Sequence, residues 1–235
     1  MAMKQFTNRY IFTFATVMVA AVALILSTAA LLLQPLQERN AEIEKKRNIL
    51  ASVGVEATEK TAEEKYDELI TGSFALNSES EKVEDANPFE VDVRKEQRKP
   101  LEEQLFPVFI ATLEGGENSY IIPLEGKGLW GPVYGYISLK EDMRTINGVT
   151  FDHKSETPGL GAEINESWFE DQFIGKKLFE DGEFVSILVQ KGGAEEGDPH
   201  AVDAISGGTI TSKGLEAMLY DCLVHYVEYM KNNSN

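Results

Sequence analysis

No charged residue interrupts the 24 positions from Tyr10 to Leu33, and on either side of that run the chain is conspicuously polar. As a helix such a run is about 36 Å long, enough to cross the hydrocarbon core of a bilayer with some tilt. A signal-peptide apolar core is about 7–15 residues, so this one is too long, and no cleavage site follows it. The run is an uncleaved anchor, with a short tail at residues 1–9. It contains no Asp, Glu, Lys, Arg or His. An ion path through hydrocarbon needs such groups or unwound carbonyls, so this helix anchors and does not conduct.

Beyond Pro35 the pattern changes. Leu36, Ile43 and Leu50 recur at heptad spacing among charges, which predicts a separate helix over 36–50 that serves as a stalk or a partner helix. Thr61 with Glu64 forms a capping-box pattern, predicting a short helix through Leu69 that Gly72 ends. Asn77 to Glu90 is acidic and aperiodic, a loop. From Leu105 short apolar runs separated by glycines predict strands over 106–112, 119–123, 133–139 and 184–190, the first two joined in a hairpin by residues 113–118. A helix is expected over 166–174 and a long one over 213–231. The apolar stripe of the latter (Leu215, Met218, Leu219, Cys222, Leu223, Tyr226, Val227, Met230) should pack across the sheet, leaving His225 exposed. His153, just before Glu156-Thr157-Pro158-Gly159-Leu160-Gly161 (ETPGLG), is read as a structural histidine. These elements define an α+β fold: an N-terminal transmembrane helix, then a mainly antiparallel sheet domain with packed helices. The expected divisions are a tail (1–9), the span (10–33), a helical stalk and acidic section (34–100) and the α+β domain (101–235).

Charge and cysteine content narrow the function. The net charge is −17, and since only Lys4 and Arg9 are charged before Gln37, the remainder sets 20 basic against 39 acidic groups. Such a surface repels phosphate backbones, which excludes nucleic acid as a partner. The single Cys222 excludes an intramolecular disulfide and cysteine-built zinc or iron–sulfur sites, and no metal is assigned. The bases flanking the span (Lys4 and Arg9 before; Arg39, Lys45, Lys46 and Arg47 after) leave its orientation undecided, because large domains translocate regardless of flanking charge.

The chemistry concentrates in Asp203-Ala204-Ile205-Ser206-Gly207-Gly208-Thr209-Ile210-Thr211-Ser212, which leads into the last helix. Two glycines and several hydroxyls at a helix start make a site where backbone N–H groups and the macrodipole can receive a phosphate. The same residues also suit an ordinary loop with Thr211 or Ser212 as N-cap. The spacing is neither that of a P-loop nor that of a dinucleotide fingerprint.

The pattern D-x-x-S-G-x-T over 203–209 resembles the acceptor motif of proteins modified by an FMN transferase, in which the last threonine is esterified to the flavin phosphate. The resemblance makes Thr209 the acceptor, Asp203 the motif acid, and Ser206 and Gly207 the turn; Gly208 stands where the family usually has alanine. Gly126 to Tyr136 (GKGLWGPVYGY) resembles a block of the C subunits of sodium-translocating NADH:quinone reductases. Glu156-Thr157-Pro158-Gly159-Leu160-Gly161 resembles a loop shared with the FMN subunit of Rnf complexes. The non-covalent flavin contacts implied are Leu129, Trp130, Glu156, Thr157, Leu160, Gly161, Gly208 and Thr211.

The family implies a membrane-anchored subunit with one covalent FMN, relaying electrons from NADH oxidation towards quinone with sodium export. It also implies an inner-membrane location with the soluble domain in the periplasm. The implied partners are the other subunits of the complex, the FMN transferase and the lipid bilayer. Two alternatives are an Rnf-type FMN subunit and a non-redox anchored scaffold.

Overall fold

A computed structural model of the chain describes residues 7–113 and 115–233. Its contacts divide the chain into two units, one ending at Lys45 and one running from Lys46 to Asn235. The first is helical from Asn8 onward. Helix α1 (Asn8–Ser52) runs through Pro35 without a break, so the separate helix expected over 36–50 is its continuation. A helix tolerates one proline at the cost of one backbone hydrogen bond and a local bend. The helix is long and apolar enough to cross a membrane. Within the span the Thr16 and Thr28 hydroxyls donate to the carbonyls of Phe12 and Leu24, at 2.9 and 2.7 Å, so neither side chain needs a partner from water.

The second unit is built on a six-stranded antiparallel sheet in the order β2-β1-β3-β4-β5-β6. Its strands are β1 (Ile70–Leu76), β2 (Lys82–Val83), β3 (Phe106–Thr112), β4 (Asn118–Lys127), β5 (Pro132–Leu139) and β6 (Ile146–His153). Three of these match the expected strands; β1, β2 and β6 are additional. Helix α2 (Ala62–Leu69) stops where Ile70 turns extended, and Gly72 lies inside β1; one-turn helices α3 (Val93–Glu96) and α4 (Ser167–Glu170) come before β3 and after β6 in the chain. Thr61 is its N-cap residue, but the hydroxyl accepts from the Thr58 amide at 3.0 Å and does not cap the helix. Because β1 pairs with β3 along its length, the division expected at residue 100 does not coincide with a break in the sheet.

Alternation along the strands gives the sheet two buried faces. Phe106 and Val108, Ile122 and Leu124, and Val133, Ile137 and Leu139 meet helix α5 (Thr209–Leu223) and the segment after it, through Leu215, Met218, Leu219, Cys222, Tyr226 and Met230. Each large side chain so buried contributes about 1.5–3 kcal/mol. Phe109, Ala111, Ile121 and Tyr136 point the other way, onto Ile49 and Val53. The last turn of α1 is therefore part of the domain core.

The terminal helix differs from expectation at both ends. It starts at Thr209, four residues early, and a 3-10 turn at Val224–Tyr226 separates it from α6 (Val227–Asn233). His225 is half-buried, its ring stacked on Phe106 with centroids 4.8 Å apart, and burial lowers its pKa. Cys222 lies in the stripe, and burial raises its thiol pKa to about 11, an inert state. The helix expected over 166–174 is a short α turn (Ser167–Glu170) followed by a 3-10 turn (Asp171–Phe173). The strand expected over 184–190 is interrupted: Glu183–Phe184 closes a hairpin with Phe179–Glu180, and Leu188–Gln190 pairs in parallel with Ala201–Asp203. Ser186, at φ 59°, breaks the run between them. The connection between β3 and β4 includes Glu114, which lies outside the described residues.

Candidate functional site

Three sequence segments far apart in the chain meet at one carboxylate. Glu156 is 5% exposed. Its Oε1 accepts the Trp130 amide at 2.8 Å, and its Oε2 accepts the Thr211 hydroxyl at 2.6 Å. The GLWG turn, the ETPGLG loop and the first turn of α5 are thereby joined. A buried carboxylate is tolerated only when its oxygens are hydrogen-bonded, and here both are. Glycines clear its surroundings. A Cβ on Gly128 would lie 2.6 Å from Oε1, and one on Gly161 would lie 2.6 Å from Oε2 and also meet the Thr211 hydroxyl.

Local geometry shapes each segment. The Gly128 amide bonds the Gly131 carbonyl at 2.8 Å, closing a tight turn that leaves Trp130 68% exposed and Leu129 exposed. The Thr157 carbonyl accepts the amides of Leu160 and Ala162, both at 3.1 Å, folding the ETPGLG loop on itself with Thr157 and Leu160 on its outer side. His153 accepts the Glu156 amide through Nδ1 at 3.3 Å.

The segment after Asp203 enters α5 through Gly207, at φ +75°, and Gly208, the N-cap residue. A Cβ on Gly207 would lie 2.5 Å from Leu160 Cδ2, and one on Gly208 would lie 2.9 Å from Ile205 Cγ2. Only glycine fits that approach without displacing Leu160. Gly208 has no side chain to cap the helix, and among the described residues no side chain competes for its first amides. Thr209 is the first helical residue and half-exposed, Ile210 is exposed, and Thr211 and Ser212 are buried. Ser212 Oγ accepts the Ile205 amide at 3.1 Å, which folds the segment back on itself.

Asp203 and Ser206 are exposed. Asp203 Oδ1 accepts the Ala194 amide at 2.7 Å, while its own amide donates to Gln172 Oε1 at 2.9 Å. Gln172, Gly128 and Ile210 were not among the expected site residues. The close approach to Glu156 is the signal that identifies Gly128; Gln172 carries no sequence signal at all. Beside the site opens a cleft of about 740 Å³, lined among others by Lys127, Gly131, Pro132, Gly214, Arg94 and Arg98.

A glycine cradle, a helix start without a side-chain cap and a half-exposed hydroxyl at its first position suit a phosphate. Leu129, Trp130, Leu160 and Ile210 offer exposed apolar surface of the kind that covers a flat ring. Fold and site together define an FMN-binding domain, and the family model of that description matches residues 128–224. Over 215 residues the chain is 33% identical to the C subunit of the Na(+)-translocating NADH-quinone reductase of Vibrio alginolyticus, covering 83% of this chain and 82% of that protein. The C subunit from Haemophilus ducreyi is 31% identical over 209 residues, with 83% and 81% covered. The crystal structure of the C subunit from Parabacteroides distasonis is similar with a TM-score of 0.78 at 45% identity, spanning 84% of this chain and 96% of that one. The Shewanella oneidensis NqrC structure gives 0.69 at 28% identity, spanning 81% and 98%. The chain belongs to the family of Na(+)-translocating NADH-quinone reductase C subunits.

Proposed function

We propose that this chain is the membrane-anchored electron-relay subunit of a sodium-translocating NADH:quinone reductase, with one FMN held as a phosphoester on Thr209. The observation that carries the reading is the start of α5: a glycine cradle and a helix terminus with no side-chain cap, at a half-exposed threonine hydroxyl. When attached, FMN supplies reversible one- and two-electron chemistry at its ring. The chain's own residues hold and orient it. The first-turn amides and the helix dipole stabilise the phosphate charge. Gly207 and Gly208 let the phosphate approach the backbone, and Leu129, Trp130, Leu160 and Ile210 shield the ring from water.

Attachment needs an activated flavin, because condensing a phosphate monoester with an alcohol is uphill in water. The FMN transferase therefore draws on a flavin dinucleotide. The Thr209 Oγ–P bond forms as the phosphoanhydride P–O bond breaks, the nucleotide leaves with the electron pair, and the Oγ proton passes to a base on the transferase. Asp203 and Ser206, exposed beside the acceptor, form the surface this enzyme reads.

Helix α1 anchors the protein at the inner membrane in a single pass through residues 10–33, with the soluble domain on the periplasmic side. It lacks charged groups in the span, so sodium moves through partner subunits, which also supply NADH oxidation and quinone reduction. Co-expression with the transferase tests the reading. It predicts protein that stays yellow and fluorescent after denaturation; colourless protein would favour an unmodified scaffold.

A further inference from the structure

We infer that Glu156 is a positioning residue for flavin attachment: its carboxylate latches the first turn of α5 to the 128–131 turn and so fixes how Thr209 is presented to the transferase. This rests on the reading of Thr209 as acceptor. Thr211 sits two residues after Thr209 in the helix, which turns its side chain about 200° away around the axis. Holding the Thr211 hydroxyl inward on Oε2 therefore holds Thr209 outward. The bond goes to a side chain of the helix and not to an end amide, so it sets the helix's rotation and leaves the phosphate-binding N–H groups unspent.

The opposite oxygen ties the same carboxylate to the Trp130 amide, within the turn that carries the exposed Leu129 and Trp130. One group thus sets the acceptor hydroxyl and the apolar surface in register. The two close glycine approaches mark how tightly the carboxylate is held. At Gly128 and Gly161 any side chain would occupy the space of its oxygens.

The test measures the initial rate of FMN incorporation into the full-length chain by transferase and flavin dinucleotide, read as covalent fluorescence and normalised to the folded fraction from thermal unfolding. Thr211→Val removes the hydroxyl at constant shape and should slow incorporation by about tenfold, the worth of one charge-assisted buried hydrogen bond. Thr211→Ser keeps the hydroxyl and should stay within about twofold of wild type on the same scale. Adding Glu156→Gln to Thr211→Val should cost little more, since the Thr211 bond is already lost and the glutamine keeps an oxygen for the Trp130 amide. Wild-type rates in Thr211→Val, equal slowing by Thr211→Ser, or slowing that vanishes on normalisation would each overturn the latch. A wild-type chain that takes up no FMN would instead overturn the acceptor reading beneath it.

Discussion

The Ser138 hydroxyl lies 2.5 Å from the carbonyl oxygen of Ser52 and 3.0 Å from that of Gly148, pinning the last turn of α1 to the middle of the sheet. All three residues meet on the face opposite α5. Gly148 leaves the room: a Cβ there would lie 2.6 Å from the Ser52 carbonyl oxygen. Helix α1 thus ends inside the domain core, with Ile49 and Leu50 fully buried.

Replacing Ser138→Ala should destabilise the domain by about 1–3 kcal/mol, because two buried carbonyls lose a shared donor. Gly148→Ala should cost at least as much, since backbone must shift to admit the methyl group. Thermal unfolding of the detergent-solubilised chain checks both. Wild-type stability for Gly148→Ala would mean that the α1 terminus does not pack as described.

Stability should also respond to pH through Glu170. Burial, with nearby Asp171, Asp152 and Glu166, raises its pKa to about 7, although its Oε1 accepts the Phe151 amide at 2.6 Å. The folded carboxyl keeps its proton over a range where the unfolded one, near 4.5, has lost it. Its contribution is therefore full below pH 4.5 and is lost as pH rises to about 7. Glu170→Gln should flatten this part of the stability–pH curve and stabilise the domain above neutrality. Urea midpoints measured at acid and neutral pH, for wild type and variant, decide it; parallel curves would contradict the assignment.

Gly207→Ala should impair FMN loading more than stability. The residue adopts φ +75°, and a methyl group would press on Leu160 at the mouth of the cradle. A left-handed non-glycine residue costs about 1–2 kcal/mol, which a domain of this size withstands. Covalent fluorescence against thermal midpoint separates the two effects. Undiminished loading would show that the cradle is not where the phosphate lies.

What the sequence made legible followed from patterns that need no tertiary closure. The charge-free span and the 3/4 stripe from Leu215 to Met230 are periodic enough to be read directly, and the runs at Phe106 and Val133 are flanked by turn residues. Strand β1 was hidden because Ile70-Thr71-Gly72-Ser73 looks like a helix end, and its pairing with β3 is what makes it extended. Strand β6 mixes Asn147, Gly148, Thr150 and Asp152 with its apolar residues, too polar a run to read as a strand, yet it is held by full pairing with β5. The motif residues of the site were found by resemblance, but not the direction in which they point. That Glu156 turns inward to Thr211, 55 positions away in the chain, depends on how the loop closes over the helix.

Flavin attachment at Thr209 is the central claim. Peptide mass spectrometry of the chain purified from cells that possess the transferase tests it directly. The segment from Asp203 onward should carry the added mass of FMN less one water on Thr209. Thr209→Ala should abolish that mass, while Thr211→Ala, slower to load, should still acquire it. A bare Thr209 in wild-type protein, or the flavin mass retained in Thr209→Ala, would contradict the claim.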